Sequence, residues 1–255
     1  MAIMEKTSIY VETIRLDFTP DAPLTALLTL LDHMQEVAGR HALQLGWGLP
    51  ELQANDLTWV LARYHFILPR WPLAAGPMTI STWPSGRRGL YAFRDFHVTG
   101  EGCPGGVKGT SAWVILDMVR RRPARLDHLA LDFEPAAGRM IDDEFRALPA
   151  VQGASESGES FAVRPEDIDV NDHVNNLVYL EWARKLLPPG CGEDRGALEL
   201  EVAFLAEARR GDRVRGVCQA CGTGREPTFL QSLYLEPSGR ELTRLRWRWF
   251  SPEPG

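Results

Sequence analysis

The chain has 255 residues, an apolar fraction of 44% and a formal net charge of −6 at pH 7. This length suffices for one large domain or two of ordinary size, and the composition is that of a globular protein. The negative charge argues against general nucleic-acid binding, and no apolar run approaches the roughly 18 residues that a membrane helix needs. The first ten residues lack the basic flank and apolar stretch of a signal peptide, so we expect a cytoplasmic protein.

The first half of the sequence predicts a strand, a long helix and four further strands. The strand is expected over Ser8 to Leu16, and Asp21 and Pro23 mark a helix start. Apolar residues then recur at three- and four-residue steps as far as Gly46, which indicates a long amphipathic helix. Four strand-like runs separated by Gly/Pro turns follow: Thr58 to Leu68, Met78 to Trp83, Leu90 to Val98 and Val107 to Met118.

The second half repeats this order after a stretch rich in Gly, Pro, Ser and acidic residues. Ala136 to Gly158 lacks a clean period and is the best linker candidate, which divides the chain into units 1–135 and 159–255. The second unit predicts a short strand, a long helix with an apolar face from Val174 to Leu186, and four strands. Their expected ranges are Ser160 to Arg164, Leu198 to Leu205, Arg213 to Cys221, Thr228 to Leu235 and Leu242 to Phe250. One helix and one antiparallel sheet per unit predict an α+β fold.

The four cysteines predict neither a metal site nor a cofactor. Cys218 and Cys221 have the spacing of a metal or redox pair, but they lie in a strand-like run with no second pair nearby. Cys103 and Cys191 stand alone in Gly/Pro-rich loops. Since a zinc site usually needs four ligands in paired spacings, we expect plain thiols.

The most chemically dense segment runs from Asp167 to Trp182, at the junction of a loop and a helical pattern. Asp169, Asn171 and His173 are spaced by two, so an extended segment would present all three on one face. The helix expected to start around Val174 offers unpaired N–H groups that polarise a carbonyl. A carboxylate, an amide, an imidazole and a helix N-terminus together fit acyl transfer to water.

A simpler interpretation stays open for each of these residues taken singly. Asn171 or Asp172 would then only cap the helix, Asp167 and Asp169 would only favour the helix dipole, and His173 would be a surface histidine.

The pattern Asp167-x-Asp169-x-Asn171-x-His173-Val174-Asn175-Asn176-x-x-Tyr179-x-x-Trp182 resembles the active-site motif of the acyl-acyl carrier protein (acyl-ACP) thioesterases. The first half carries segments similar to that family's N-terminal domain: Gln35 to Ala42, Trp59 to Arg63, Thr82 to Gly86, Arg94 to Phe96 and Arg121 to Arg125. The resemblance covers roughly residues 5 to 250. It implies a tandem (double) hotdog fold, in which each unit is a long helix wrapped by a curved antiparallel sheet.

The resemblance also implies that Asp169, Asn171, His173 and Glu207 are catalytic, with Glu207 on the second strand after the helix. Plant members have a Cys just after this Glu, where the present chain has Ala208, which counts against a cysteine mechanism. The implied reaction hydrolyses the thioester of fatty acyl-ACP. From spacing alone, Glu207 would be an exposed charge at a strand end.

The implied substrate carries a long apolar chain on the phosphopantetheine arm of an acidic carrier protein. We expect the first helix, Leu27 to Val37, and the strand from Trp59 to Phe66 to line the acyl channel. Carrier docking requires a local basic patch, although solvated strand edges are a competing explanation for such clusters. The candidates are Arg87 and Arg88, Arg120 to Arg122 with Arg125, Arg209 and Arg210, and the row Arg244, Arg246 and Arg248.

Three other functions stay open at this point: an acyl-CoA thioesterase of the same fold, a hotdog enoyl hydratase, and a non-catalytic acyl-binding protein. Further association into a homodimer is equally open, because a tandem double hotdog already provides the pairing that single hotdogs find by dimerising.

Overall fold

The computed structural model describes residues 8–17, 23–126, 138–152, 158–191, 196–221 and 226–251. Asp21, expected at the start of the first helix, lies outside these residues. None of the helices in the described ranges is long and apolar enough to cross a membrane.

The first unit contains the predicted strand, long helix and four strands, together with two short elements that the sequence did not predict. The short elements are a five-residue helix after Gly46, where the first long helix was expected to end, and a two-residue strand after the fourth of the predicted strands. In chain order the elements are β1 (Tyr10–Leu16), α1 (Pro23–Gln44), α2 (Leu49–Gln53), β2 (Leu57–Trp71), β3 (Gly76–Arg88), β4 (Tyr91–Gly100), β5 (Val107–Asp117) and β6 (Arg122–Pro123).

The second unit has the predicted order, but its helix is short. The helix spans ten residues against twenty-two in the first unit, so the expectation of a second long helix is wrong. The elements are β7 (Glu159–Ala162), α3 (Asn176–Lys185), β8 (Gly196–Phe204), β9 (Arg213–Cys221), β10 (Thr228–Glu236) and β11 (Arg240–Phe250).

The strands of both units form one continuous antiparallel sheet. Its order is β1-β3-β4-β5-β2-β8-β11-β10-β9-β7, with β6 paired to β5. β2 and β8 join the two units, for example through the pairing of Tyr64 with Val202. The α+β tandem hotdog expected from the sequence is thereby confirmed.

The main core lies between α1 and the sheet, because the apolar stripe of α1 faces the strands. It extends into the second unit, where Leu180 and Ala183 of α3 belong to the same buried cluster. The fully or almost fully buried members on α1 are Leu27, Leu30, Leu31, Met34 and Val37.

The offset between β2 and β8 leaves room for a site. β2 is fifteen residues long, but β8 pairs with it only from Arg63 to Trp71. The first residues of β2, from Leu57, are paired on one side with β5 alone. The segment that follows β8 and the loop before α3 come together beside this unpaired stretch, as the pocket described below shows.

A cluster of charged side chains also connects the two units. His65 of β2 lies between two carboxylates, with Nδ1 2.8 Å from Asp143 Oδ2 and Nε2 2.9 Å from Glu199 Oε1. Burial favours the neutral ring, but the two carboxylate hydrogen bonds outweigh it and raise the pKa of His65 to about 9. The imidazolium therefore joins β2 both to β8 and to the segment that connects the units.

The arginine row on β11 belongs to this charged network. Arg246 pairs with Glu201 and Arg248 with Glu199, while Arg244 pairs with Glu241. Each of the three guanidinium groups is already paired with a carboxylate, so the row is not the free basic patch that its spacing suggested.

Candidate active site

The loop that precedes α3 carries three of the four expected catalytic residues. The chain folds back on itself there, because Ile168 pairs with Val174 as an isolated β-bridge. The N–H of Asp169 donates to the carbonyl of His173 at 2.8 Å, which closes a tight turn around Asn171. The segment is a turn and not the extended strand that the spacing suggested. The three residues nevertheless line the same pocket.

The carboxylate of Asp169 organises this turn. Its Oδ1 accepts the backbone N–H of Asn171 at 2.8 Å and that of His173 at 3.5 Å. Its Oδ2 lies 3.5 Å from the amide nitrogen of Asn171. Asp172, at the end of the turn, has a φ of 62°, a left-handed conformation that Asp tolerates better than most residues. Asp169 thus orients His173 through the backbone of the loop.

The imidazole of His173 lies between a carboxylate and a guanidinium. Its Nε2 is 3.1 Å from Oε2 of Glu207 and 3.3 Å from Nη2 of Arg209. A proton on Nε2 is donated to Glu207, whereas an unprotonated Nε2 accepts from Arg209. The His173 side chain is 17% exposed and that of Glu207 45%, so the pair is reachable from solvent.

Glu207 does not lie on a strand, which corrects the expectation. It belongs to the irregular segment between β8 and β9, because the sheet ladder ends just before it. The N–H groups of Leu205 and Ala206 both donate to the single carbonyl of Leu242, at 2.8 and 3.1 Å, and this shared acceptor turns the chain out of the sheet. The turn directs Glu207 toward the loop before α3.

Ala208 fixes this segment against α3 and against the loop that precedes it. Its N–H donates to the hydroxyl of Tyr179 at 2.8 Å, and its carbonyl accepts from Val174 at 3.0 Å. The residue is fully buried in an apolar cluster of the second unit that also contains Val174, Tyr179 and Trp182. Burial also raises the pKa of Tyr179, which keeps the hydroxyl neutral as the acceptor of this bond. The small side chain suits a close approach of three backbone segments.

α3 begins two residues later than expected and uses another cap. Its N-cap is Asn175, whose side-chain oxygen accepts the N–H of Leu177 at 3.0 Å. Neither Asn171 nor Asp172 caps the helix, so the capping interpretation of those two residues is wrong.

The first helical residue, Asn176, retains an open backbone donor. The carbonyl of Asn175 accepts from Val178, whereas the N–H of Asn176 forms no hydrogen bond with any residue in the described ranges. Asn176 lines the pocket beside His173. An N–H at this place is suited to a developing oxyanion.

These groups line a pocket with a cavity volume of about 280 Å³. Its walls come from α1, β2, β4 and β5 of the first unit, and they are mainly apolar. The large side chains that line it are Trp47, Trp59, Leu61, Phe93, Trp113, Leu116 and Met118. A mostly apolar pocket with a few convergent polar groups is typical of a small-molecule site.

The wall formed by α1 differs from the expected one. Of Leu27 to Val37 only Gln35 lines the pocket, and of Trp59 to Phe66 only the first three residues do. The other apolar residues of these ranges pack in the core instead. The missed residues are Ala38, Gly39 and Ala42, whose small side chains leave space beside the helix. The sequence feature that could have predicted this part of the wall is the presence of three small residues within five positions of an amphipathic helix.

Two polar residues inside the pocket were also missed as candidates. Arg94 donates to His41 Nδ1 at 3.1 Å and to Thr82 Oγ1 at 3.2 Å, and burial lowers its pKa to about 10. Thr58 is buried, and its hydroxyl has no hydrogen-bond partner among the described residues.

Within the described residues, one group has donor atoms close enough to hold a metal ion. His65, Asp143 and Glu201 offer one donor each within 4.8 Å of one another. The ring of His65 already bonds two carboxylates, and Arg246 pairs with Glu201. These cations supply the positive charge that the carboxylates need, so the group is accounted for as an ion-pair network.

Comparisons with known proteins cover almost the whole chain. The models of the acyl-ACP thioesterase N-terminal and C-terminal domains match residues 6–131 and 152–250. The chain is 27% identical over 240 residues to the chloroplastic acyl-[acyl-carrier-protein] hydrolase FATB2 of Cuphea viscosissima, covering 87% of this chain and 57% of that protein. It is 27% identical over 243 residues to the chloroplastic dodecanoyl-[acyl-carrier-protein] hydrolase of Umbellularia californica, covering 88% and 63%. The chain thus spans about three fifths of the length of these relatives.

Solved structures agree on the fold. An acyl-ACP thioesterase from Bacteroides thetaiotaomicron has a TM-score of 0.76 at 22% identity, covering 98% of this chain and all of that one. The 12:0-ACP thioesterase from Umbellularia californica has a TM-score of 0.81 at 24% identity, covering 96% and 95%. Because both domain models also match in chain order, the chain belongs to the acyl-ACP thioesterase family.

Proposed function

We propose that this protein hydrolyses the thioester of fatty acyl-ACP and releases a free fatty acid. The observation that carries the proposal is that Asp169, Asn171, His173 and Glu207 all line one mainly apolar pocket. The family supports the substrate class, and the relatives named as acyl-carrier-protein hydrolases support the reaction.

The two units have different roles in this proposal. The first unit, residues 1–135, holds the acyl chain, because α1 and the strands β2, β4 and β5 supply the apolar walls. The second unit, residues 159–255, supplies the catalytic groups. Residues 136–158 link the two, and within this link Asp143 is bonded to His65 of the first unit.

Glu207 and His173 act together as the base. A water molecule held by this pair loses its proton as its oxygen attacks the thioester carbonyl carbon. The tetrahedral intermediate then collapses, the carbon–sulfur bond breaks, and the leaving thiolate takes the proton back from the pair. A positioned base of this kind is usually worth about 10²–10⁴-fold in rate.

Two donors stabilise the negative charge that develops on the carbonyl oxygen. One is the amide of Asn171, which also lies near Asp169, and the other is the open N–H of Asn176 at the start of α3. Both residues line the same pocket as His173. Preorganised donors in a partly desolvated site stabilise the transition state more than the ground state.

Asp169 and Arg209 are positioning residues in this scheme. Asp169 fixes the turn that carries Asn171 and His173, and so sets the distance between the base and the carbonyl donors. Arg209 contacts the same imidazole nitrogen as Glu207 and holds the ring when that nitrogen is unprotonated.

Release of free thiol from dodecanoyl-ACP, followed with a thiol reagent, tests the function. We expect turnover that follows Michaelis–Menten kinetics, with a higher kcat/KM for the carrier-bound thioester than for dodecanoyl-CoA. A preference for CoA would favour the acyl-CoA thioesterase, and saturable binding without release would favour an acyl-binding protein. Hydration of an enoyl thioester in place of hydrolysis would favour the hydratase.

A further inference from the structure

Two of the four arginine clusters meet at one end of the first unit. β4 begins at Tyr91, which pairs with Val114, and β6 pairs with the last residues of β5, where Asp117 faces Arg122. β6 therefore lies along the same edge of β5 as β4, just beyond the residue at which β4 begins. The β3–β4 turn and the β5–β6 turn consequently lie side by side, within roughly 10 Å along the strand direction at about 3.3 Å per residue.

This end of the sheet is basic. It presents the exposed residues Arg87 and Arg88 from the first turn and Arg120, Arg121 and Arg122 from the second. Arg120 is neutralised by Asp117 at 2.7 Å, and Arg88 donates to the backbone carbonyl of Glu144 and lies 5.9 Å from the centre of the Phe93 ring. The other three form no ion pair with any residue in the described ranges. The cluster contrasts with the net charge of −6 for the whole chain.

The same two turns expose apolar side chains beside the pocket. Val119 is 72% exposed and Met118 47%, and Leu90 and Tyr91 are also exposed. Met118 lines the pocket, so the surface is continuous with the rim of the site. Exposed apolar groups surrounded by unpaired arginines are characteristic of a surface that binds an acidic partner.

The remaining two clusters are less suited to docking. Each arginine of the β11 row is paired with a glutamate, as described above. Arg209 contacts the imidazole of His173, so it belongs to the site itself.

We propose that the surface formed by the β3–β4 and β5–β6 turns docks the acyl carrier protein. The arginines bind acidic side chains of the carrier, and Met118 and Val119 cover apolar surface around the attachment point of its arm. From there the arm enters the pocket past Met118 and places its thioester beside His173. This inference rests on the proposed function for the identity of the partner.

A double charge reversal tests the surface. In Arg87→Glu/Arg122→Glu both changes lie outside the catalytic residues and avoid Arg121, whose φ is 50°. The matched control is Arg70→Glu/Lys108→Glu, which alters two exposed cations at the opposite end of the same strands, near the pairing of Ile67 with Lys108. Both variants change the net charge by the same amount.

Two measurements are made on each protein at low and high ionic strength. One is the Kd for holo-carrier protein bearing a fluorescent label, read by anisotropy. The other is kcat/KM for dodecanoyl-ACP and for dodecanoyl-pantetheine, a thioester with the arm but without the protein. Circular dichroism confirms that the variants are folded.

We expect the double reversal to weaken carrier binding by about tenfold at low salt, and to lower kcat/KM for dodecanoyl-ACP in parallel through KM. The effect should shrink at high salt, and hydrolysis of dodecanoyl-pantetheine should be unchanged. An unchanged Kd for the carrier, or an equal loss in the control variant, would overturn the docking surface. An unchanged pantetheine rate separates docking from catalysis, and carrier binding without any hydrolysis would refute the proposed function alone.

Discussion

His65 provides a test of how the two units are held together. Its ring is 9% exposed and bonds Asp143 and Glu199, and these two bonds raise its pKa from 6.5 to about 9. The pKa values of both partner carboxylates move down. The bond to His65 lowers the pKa of Glu199, and in Asp143 burial raises the pKa but is outweighed by the bonds to His65 and to the N–H of Phe145 taken together with the nearby positive charges. All three shifts favour the charged pairs.

The stability that protonated His65 contributes follows from the linkage between protonation and folding. The difference between about 9 and 6.5, at about 1.4 kcal/mol per pH unit, corresponds to about 3 kcal/mol of stability. Because the folded pKa lies above the unfolded one, this contribution is fully present below pH 6.5. It declines as the pH rises from 6.5 to 9 and is lost above about pH 9.

Charged groups from two strands also surround this cluster. Glu201 on β8 faces the ring, and burial raises its pKa, while Arg246 and Arg248 on β11 pair with Glu201 and Glu199. The pH dependence expected between 6.5 and 9 is that of His65, whose pKa moves across this range.

Urea unfolding of the wild type and of His65→Gln, at half-unit steps from pH 6 to pH 10, measures this contribution. The difference in unfolding free energy between the two proteins should fall by about 3 kcal/mol across pH 6.5–9, since pH effects from other groups cancel in the difference. His33→Gln is the control, because that side chain on α1 is 33% exposed and lies 3.8 Å from the carboxylate of Glu36, farther than His65 lies from either of its partners. A difference that stays constant from pH 6.5 to 9.5 would refute the reasoning.

The remaining predictions concern α1 and the loop before α3. Gly39→Ala should raise the unfolding free energy by about 0.8–1 kcal/mol, because the residue lies inside α1 and an added Cβ meets no atom within 4 Å; a lower urea midpoint would contradict this. Asp169→Ala should lower kcat at least about tenfold while costing only about 1 kcal/mol of stability, because it frees the turn that carries His173. Asp169→Asn keeps one acceptor for Asn171 and should restore most of kcat; equal losses in the two variants would show that the charge, and not the turn, matters.

Much of the fold followed from local patterns in the sequence. The strands and α1 were predicted within a few residues, because their periodicity reflects burial against one sheet. The length of α3 was overestimated, since apolar residues at Val174 and Leu186 pack beside the helix without belonging to it. The pairing of β2 with β8 was not predictable, because it joins residues 125 to 140 positions apart.

The four residues that the resemblance implied line one pocket, but their geometry was not predicted. Spacing by two suggested an extended strand, whereas Asp169 uses its carboxylate to close a turn. The arginine row on β11 looked free because the partners of Arg246 and Arg248 lie on another strand. Glu199 and Glu201 on β8 have the same spacing by two, and they face β11 across the sheet. Such matched spacings become informative only once the strand order is known.

The central claim is that His173 and Glu207 act together as the general base. The most direct test is kcat for dodecanoyl-ACP in His173→Ala, in Glu207→Gln and in the double variant. Glu166→Gln is the control, because this exposed carboxylate precedes the same loop without lining the pocket. Each single variant should lose about 10²–10⁴-fold in kcat with little change in KM, and the double variant should lose about as much as either one, since residues that act as a unit are not additive. Wild-type rates in both single variants would contradict the account.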